Sequence, residues 1–272
     1  MTPTLLLVAH GSRDARFPAT AGRVRDAVAT ALAGVDVRLA YLDLNAPLVG
    51  DALDEIAGDC VVVPLLFAAG YHQKIDLPAI IAEHHRRDRM VIRSEVIGTS
   101  PLANALADRL SEAGLDEPAG RRTGIILSAV GSSDPDADRH VRRRAIELST
   151  VLNRPVEVVF ATKLGPREQQ LRNAVRRLRT AGADRIAVSP YFLSAGLLTE
   201  RVEAALDAHA PGALVAGPLG AHRDIVDAVC HHYWTAASTR TARAQESCAH
   251  DSPTRDSPTH DSLSAATFVA RA

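Results

Sequence analysis

The chain repeats itself once, and this duplication limits the folds open to it more than any other feature. Residues 5–14 (LLLVAHGSRD) align without a gap on residues 125–134 (IILSAVGSSD), 120 positions later. Two further pairs keep the same order: YLDLNAP at 41–47 with FATKLGP at 160–166, and PLLFAAG at 64–70 with PYFLSAG at 190–196. Near-constant offsets over several elements predict two similar lobes, with a ligand cleft between them.

Each repeat has the pattern of alternating strands and helices. Between the first two strands Val24, Val28 and Leu32 recur at helical spacing, and Gly34 follows as a helix end. Nearly continuous apolar runs are typical of parallel strands that helices cover on both faces, and four such runs stand at 4–9, 35–42, 60–67 and 90–97. The sequence therefore predicts an α/β fold of two similar lobes, each a parallel sheet flanked by helices.

Changes in composition along the chain suggest where the lobes end. Gly, Pro and Arg cluster at 114–123 and indicate a linker, so we expect a first lobe over 1–118 and a second over 119–237. Residues 238–272 change to Ser, Thr, Asp and His, and HDSPTRDSPTHDS repeats a six-residue unit. Such a segment cannot bury a core, and we expect 238–272 to be a disordered tail.

The overall composition excludes several classes of function. Lys and Arg total 31 against 32 for Asp and Glu, and only 4% of residues are aromatic, so nucleic acid is not expected as a partner. Three cysteines without paired spacing favour a reducing, cytoplasmic setting. The opening apolar run lacks the basic flank of a signal peptide, and no run reaches the roughly 18 residues of a membrane span, so no membrane partner is expected.

Two histidines follow predicted strands. His10 follows the first strand and His72 follows the third. Ligands of open α/β sheets bind at the carboxyl ends of strands, where two imidazoles on one rim could bind a metal ion or accept a proton. Val130 and Leu198 stand at the matching positions of the second repeat. A role in the scaffold would be needed in both lobes, so the pattern predicts one active site, carried by the first lobe.

Asp43 is a third candidate, placed one residue past the second predicted strand. It could bind metal or accept a proton from an imidazolium, and Thr162 replaces it in the second repeat. A plain turn residue ahead of Asn45 and Pro47 is the alternative.

Gly-Ser turns run into helices at Gly11–Ser12 and at 131–133, where unpaired N–H groups suit carboxylates or phosphates. Neither turn matches a nucleotide-binding signature. Ser12, Arg13 and Lys74 are candidate contacts to an anionic substrate, and Arg16 could add positive charge. Solvated cations near a helix start are the alternative for these basic residues.

Four segments together resemble the class II chelatases, specifically the sirohydrochlorin ferrochelatase and cobaltochelatase family: AHGSRD, PLLFAAGYHQKIDLP, VGSSDPD and SPYFLSAGLLTE. The resemblance covers roughly residues 3–235, including the duplication. It implies that His10 and His72 bind the incoming metal and help to remove pyrrole protons. The family often carries a glutamate where this chain has Asp43, whose side chain is one methylene shorter.

The resemblance implies a lyase that inserts Fe²⁺ into sirohydrochlorin for siroheme and releases two protons. Its partners would be sirohydrochlorin and a divalent metal ion that serves as substrate, with no permanently bound cofactor, in a monomer or homodimer. Co²⁺ insertion for cobalamin is the nearest alternative, and nickel is another, because imidazole ligands alone do not select among these metals. A non-catalytic carrier of metal or tetrapyrrole, and a small-molecule sensor, are alternatives of other classes.

Overall fold

The computed structural model describes residues 2–68, 75–115 and 122–250, with side chains up to residue 239. The first half contains β1, α1, β2, α2, β3, α3, β4 and α4, in that order, at Thr4–Ala9, Arg16–Ala31, Val37–Tyr41, Val49–Glu55, Cys60–Pro64, Leu77–Glu83, Val91–Arg93 and Ala103–Glu112. The second half contains β5, α5, β6, α6, β7, α7, β8 and α8, at Thr123–Ala129, Pro135–Leu152, Val156–Phe160, Gln169–Thr180, Arg185–Pro190, Leu197–His209, Leu214–Val215 and Arg223–His250.

The two halves form four-stranded sheets of identical order, β2-β1-β3-β4 and β6-β5-β7-β8. Every strand pair is parallel, with Leu5 opposite Val37 and Val61 in the first sheet and Ile125 opposite Val156 and Ala187 in the second. The central strands β1 and β5 are almost wholly buried, which explains their continuous apolar sequence. The predicted fold class is confirmed.

The last helix of each half packs on the sheet of the other half. α4, from the first half, lies against α5 and β7, whereas α8 lies against α1, β3 and β4. One core cluster consequently runs through both sheets; it includes Leu7, Val63, Leu106, Leu127 and Tyr233. Separate clusters fill the outer faces, beneath α2 and α3 on one side and α6 and α7 on the other.

The strands begin where the sequence predicts but end earlier. The third strand ends at Pro64 rather than at residue 67, and the fourth covers Val91–Arg93 rather than 90–97. Proline has no amide hydrogen to extend the ladder, and Leu65, Leu66 and Phe67 instead line the cavity described below.

Residues 238–250 differ from the expected disordered tail, because α8 continues through His250. Ala, Arg, Gln and Glu in this stretch favour helix, and Tyr233 and Ala236, one turn earlier, are buried and anchor the helix that it extends. The remainder of the expected tail, 251–272, lies outside the described residues. In the described part of the chain, no helix is both long and apolar enough to cross a membrane.

Candidate active site between the two lobes

A cavity of about 940 Å³ lies between the two sheets, at the carboxyl ends of their central strands. Residues that follow β1, β2 and β3 form one wall, and residues that follow β5 and β7 form the other. β1 and β3 are hydrogen-bonded neighbours, so the segments that follow them leave the first sheet side by side. The predicted cleft between the lobes is therefore present.

The first-lobe wall contains four of the predicted site residues: His10, Ser12, Arg13 and Asp43 all line the cavity. His10 is partly buried, and its carbonyl oxygen accepts a hydrogen bond from the amide of Asp43 at 3.1 Å. That bond continues the pairing of β1 with β2 by one residue, and it holds the chain at Asp43 beside the turn that carries His10. The exposed Asp43 carboxylate is thus available on the same wall as the imidazole.

Gly11 allows this close approach. Its φ is +103°, and a Cβ atom there would lie 1.8 Å from the carbonyl oxygen of Asp43. No side chain fits between two backbones at that separation, and positive φ is strained for residues other than glycine. The glycine of the HGS motif therefore sets the spacing between the His10 turn and the Asp43 turn.

The amides of the first turn are not free to bind an anion, contrary to the expectation from the Gly-Ser sequence. The amide of Ser12 donates to Oδ1 of Asn45 at 2.7 Å, and that of Asp14 donates to Oγ of Ser12 at 3.1 Å. The amide of Arg16 donates to Oδ1 of Asp14 at 3.0 Å. The turn uses these donors to stabilise itself, while the hydroxyl of Ser12 keeps its own hydrogen for a ligand.

Asn45 is a site residue that the sequence reasoning missed. It fixes the Ser12 amide from the β2 side, and the buried Leu164 stands at its matching position in the second repeat. The criterion that singled out His10, a polar residue present in one lobe only, would also have found Asn45.

Positive charge is scarce at this cavity. Arg13 is exposed and is the one Lys or Arg among the described lining residues. Arg16 lies just outside the lining, and its guanidinium bonds Asp14 from the first lobe and Glu200 from the second. Hydrogen bonds from Arg16 lower the pKa of Asp14 to about 2. Arg16 is thus neutralised, in contrast to the free positive charge expected.

The second-lobe wall is mainly apolar. Val130 stands at the position that matches His10 and is 45% exposed, and Leu197 is 79% exposed. Large apolar side chains are seldom left this accessible singly on a wall, and here they continue with Leu198, Phe192 and Tyr191 along one side of the cavity. Such a wall suits a flat apolar ligand face, with the polar groups of the first lobe opposite it.

Polar residues of the second-lobe turn bind one another. Thr162, in the place of Asp43, donates from its amide (3.0 Å) and from Oγ1 (2.7 Å) to the carbonyl oxygen of Val130. Asp138 accepts from the amide of Ser132 at 2.9 Å and pairs with Lys163 at 2.5 Å. The repeat has therefore kept the shape of the turn, while its polar groups face each other.

The floor of the cavity is fixed where the segment after β3 begins. The rings of Phe67 and Tyr191 are 4.7 Å apart, and a Cβ on Gly98 would lie 2.0 Å from the carbonyl oxygen of Phe67. The carbonyl of Gly98 in turn accepts hydrogen bonds from His140 (2.6 Å) and Arg144 (3.0 Å) of the second lobe. Burial raises the pKa of Tyr191 to about 12, so its hydroxyl stays protonated.

His72 and Lys74 follow this floor in sequence and lie outside the described residues. In the described ranges there is no group of three or more His, Cys, Asp and Glu residues arranged to hold a metal ion. His10 and Asp43 are the described lining residues that combine metal-ligating chemistry with a place on the polar wall.

Two parallel sheets of one strand order, with a cavity between their carboxyl ends, define a two-lobed α/β protein of the class II chelatase type. The family described as CbiX matches the chain twice, over residues 4–113 and 124–236. The chain belongs to this family of sirohydrochlorin ferrochelatases and cobaltochelatases, and the resemblance noted in the sequence is confirmed.

Individual relatives agree with this assignment. The chain is 30% identical over 213 residues to a sirohydrochlorin cobaltochelatase of Priestia megaterium, over 74% of this chain and 67% of that protein. Among solved structures, SirB from Bacillus subtilis with Fe³⁺ superposes with a TM-score of 0.73 and 24% identity, over 89% of this chain and 98% of SirB. The same protein in complex with cobalt gives 0.70 and 22% over the same shares.

Proposed function

We propose that this protein inserts Fe²⁺ into sirohydrochlorin in siroheme biosynthesis, with release of two protons. The observation that carries the proposal is the two-sided cavity: an imidazole and a carboxylate line one wall, and exposed apolar side chains line the other. A flat tetrapyrrole needs an apolar surface beneath its ring and a metal-handling group above its central nitrogens. The Priestia megaterium relative, named as a sirohydrochlorin cobaltochelatase, supports the same substrate.

His10 and His72 are the proposed metal-handling residues. A neutral imidazole offers one lone pair, which can hold the incoming ion and, once the ion has moved into the ring, accept a pyrrole proton. Asp43, held beside the His10 turn by the amide bond at 3.1 Å, is the proposed acceptor that passes the proton onward. The active site accordingly belongs to the first lobe, 1–118, and the second lobe, 119–237, supplies the apolar wall.

The proposed substrate contacts are Ser12, Arg13 and Lys74. Sirohydrochlorin carries many carboxylates, and Arg13 is exposed at the cavity without a carboxylate partner among the described residues. The Ser12 hydroxyl can donate to a carboxylate, because its bond to the Asp14 amide uses only a lone pair. We propose no permanently bound cofactor and a cytoplasmic monomer or homodimer; the unpaired cysteines support the reducing setting.

Cobalt insertion for cobalamin is the second candidate. The curated relative is named for cobalt, and the two SirB structures hold Fe³⁺ and cobalt. Imidazole and carboxylate ligands accept either ion, so the choice between them depends on metal supply as well as on the site.

The test is anaerobic absorbance spectroscopy of purified sirohydrochlorin mixed with Fe²⁺ or Co²⁺, with and without the protein. We expect the protein to speed metallation well above the spontaneous rate, and the faster metal at equal concentration identifies the preference. A non-catalytic carrier would bind the macrocycle and leave the rate at its spontaneous value. That outcome would overturn the proposal.

A further inference from the structure

The guanidinium of Arg16 links the two lobes at the rim of the cavity. Its Nε and Nη2 bind the two carboxylate oxygens of Asp14 at 3.0 and 2.5 Å, and its Nη1 binds Oε1 of Glu200, on α7, at 2.6 Å. Asp14 itself lines the cavity, as do the first residues of α7. Asp136 stands at the position that matches Arg16 in the repeat, so this cation, like His10, belongs to one lobe only.

The two carboxylates hold Arg16 unequally. The Asp14 side chain is 18% exposed, contacts two guanidinium nitrogens and also accepts the backbone amide of Arg16 at 3.0 Å. The Glu200 side chain is 48% exposed and, in the described part of the chain, has no second polar partner. The bond from Nη1 to Glu200 is therefore the one that another carboxylate can replace, while Asp14 keeps the guanidinium oriented.

We propose that Arg16 binds a peripheral carboxylate of the incoming tetrapyrrole, and that Glu200 occupies this contact as a competitor until the substrate arrives. The inference rests on the proposed function. A macrocycle lying on the apolar second-lobe wall would cover Leu197, three residues before Glu200 on the same helix, and would bring its acidic edge to the rim. There a substrate carboxylate replaces Glu200 at Nη1 without a change in the total charge around Arg16.

The exchange gives the site selectivity at its edge. An arginine already saturated by carboxylates does not attract isolated anions, because each must displace Glu200 first. A rigid ring held by its face at the apolar wall presents its carboxylate at high effective concentration, so it alone exchanges efficiently. Arg13, the one cation of the described lining, would serve a different carboxylate.

The experiment measures equilibrium binding of metal-free sirohydrochlorin to the full chain, by its absorbance change, for wild type, Arg16→Gln, Glu200→Gln and the double variant. We expect Arg16→Gln to weaken binding by roughly threefold to tenfold, since one charge-assisted contact is lost. We expect Glu200→Gln to tighten binding by roughly twofold to fivefold, and the double variant to match Arg16→Gln. The same pattern should appear in KM, with kcat within about twofold of wild type.

The signs separate this proposal from its rivals. If the bridge only straps the lobes together, both single substitutions break the same bond and shift affinity in the same direction. If Glu200 merely repels an anionic ligand, its substitution tightens binding equally in the Arg16→Gln background. Either result would overturn the proposal.

Matched controls lie on the same helices. Arg25→Gln removes a cation from α1 that pairs with Asp26, and Glu203→Gln removes an anion from α7 one turn beyond Glu200; neither residue lines the cavity. Both should leave affinity within about twofold of wild type. Because binding is measured without metal, a protein that shows the signed pattern but no metallation contradicts the proposed function alone. A protein that metallates sirohydrochlorin without the pattern contradicts this inference alone.

Discussion

At the scale of single residues, position in the repeat separates chemistry from scaffold. His10 and Val130 occupy matching places, and both line one cavity, yet one side chain can bind a metal and the other can only pack. Asp43 and Thr162 differ in the same way, since Thr162 spends its hydroxyl on a backbone carbonyl. The cavity is therefore polar on one side because of a few substitutions within a shared framework.

The first prediction concerns His10. We expect His10→Ala to fold normally and to lose at least about 100-fold in the rate of metallation, because the variant lacks both a metal ligand and a proton acceptor. Steady-state absorbance assays would measure the rate, and circular dichroism would check the fold. His231→Ala, an exposed histidine on α8 that does not line the cavity, is the control and should retain full activity. A rate near wild type for His10→Ala would remove this residue from the mechanism.

The second prediction concerns Gly11. A Cβ at this position meets the Asp43 carbonyl oxygen at 1.8 Å, so Gly11→Ala should destabilise the fold by about 2 kcal/mol or more. Gly34→Ala combines positive φ with open space and should cost about 1 kcal/mol, and Gly22→Ala, in open space on α1, should be neutral or stabilising by up to about 1 kcal/mol. Urea denaturation ranks the three variants, and equal effects at Gly11 and Gly34 would contradict the close approach.

At the scale of elements, α8 carries a histidine into the contact between its own helix and the first lobe. His232 is 9% exposed, and its Nε2 is hydrogen-bonded to Oγ of Ser100 at 3.1 Å. Burial lowers the pKa of His232; His231 lowers it further, and Glu95 opposes both. The neutral imidazole is therefore the form that this packing favours.

The third prediction is the pH dependence of this contact. Below the ordinary histidine pKa of about 6.5 the unfolded chain binds more protons at His232 than the folded chain, so the contribution to stability is present above that pH and is lost as the pH falls. His232→Gln should accordingly lose less stability than wild type between about pH 7 and about pH 5. Urea titrations at several pH values would measure the difference. The exposed His85→Gln is the control, and an unchanged slope for His232→Gln would refute the prediction.

At the scale of the whole molecule, the exchanged helices make the two lobes depend on each other. α4 covers the second sheet, α8 covers the first, and one apolar cluster includes residues from both. Tyr233 of α8 also donates a hydrogen bond to the carbonyl of Pro3, next to β1, at 2.8 Å. Neither lobe retains its own core cover when the other is removed.

The fourth prediction is a single cooperative unfolding transition. Trp234, the one tryptophan of the chain, reports on α8, and far-ultraviolet circular dichroism reports on both lobes. We expect the two signals to share one midpoint in urea. Leu106→Ala, in the buried face of α4, should shift both together by about 2–5 kcal/mol. Two separated midpoints would show that the lobes unfold independently.

Much of the site could be predicted from strand order alone. Parallel strands end at one edge, so residues directly after β1 and β2 had to meet, and His10, Ser12, Arg13 and Asp43 all line one cavity. The bond from Asn45 to the Ser12 amide and the bridge from Arg16 to Glu200 join residues 33 and 184 positions apart. Such side-chain pairings depend on turn geometry and on how the lobes sit together, which periodicity does not encode.

The sequence by itself determined the α/β class, the duplication, the first residue of the central strands and the one-lobed histidine pattern, because each is a property of local periodicity or of self-comparison. Only the tertiary structure decided which helix covers which sheet, which turn amides are already bonded, and which charges meet across the cavity. These depend on close packing between segments far apart in the chain, where a shift of one ångström makes or breaks a contact.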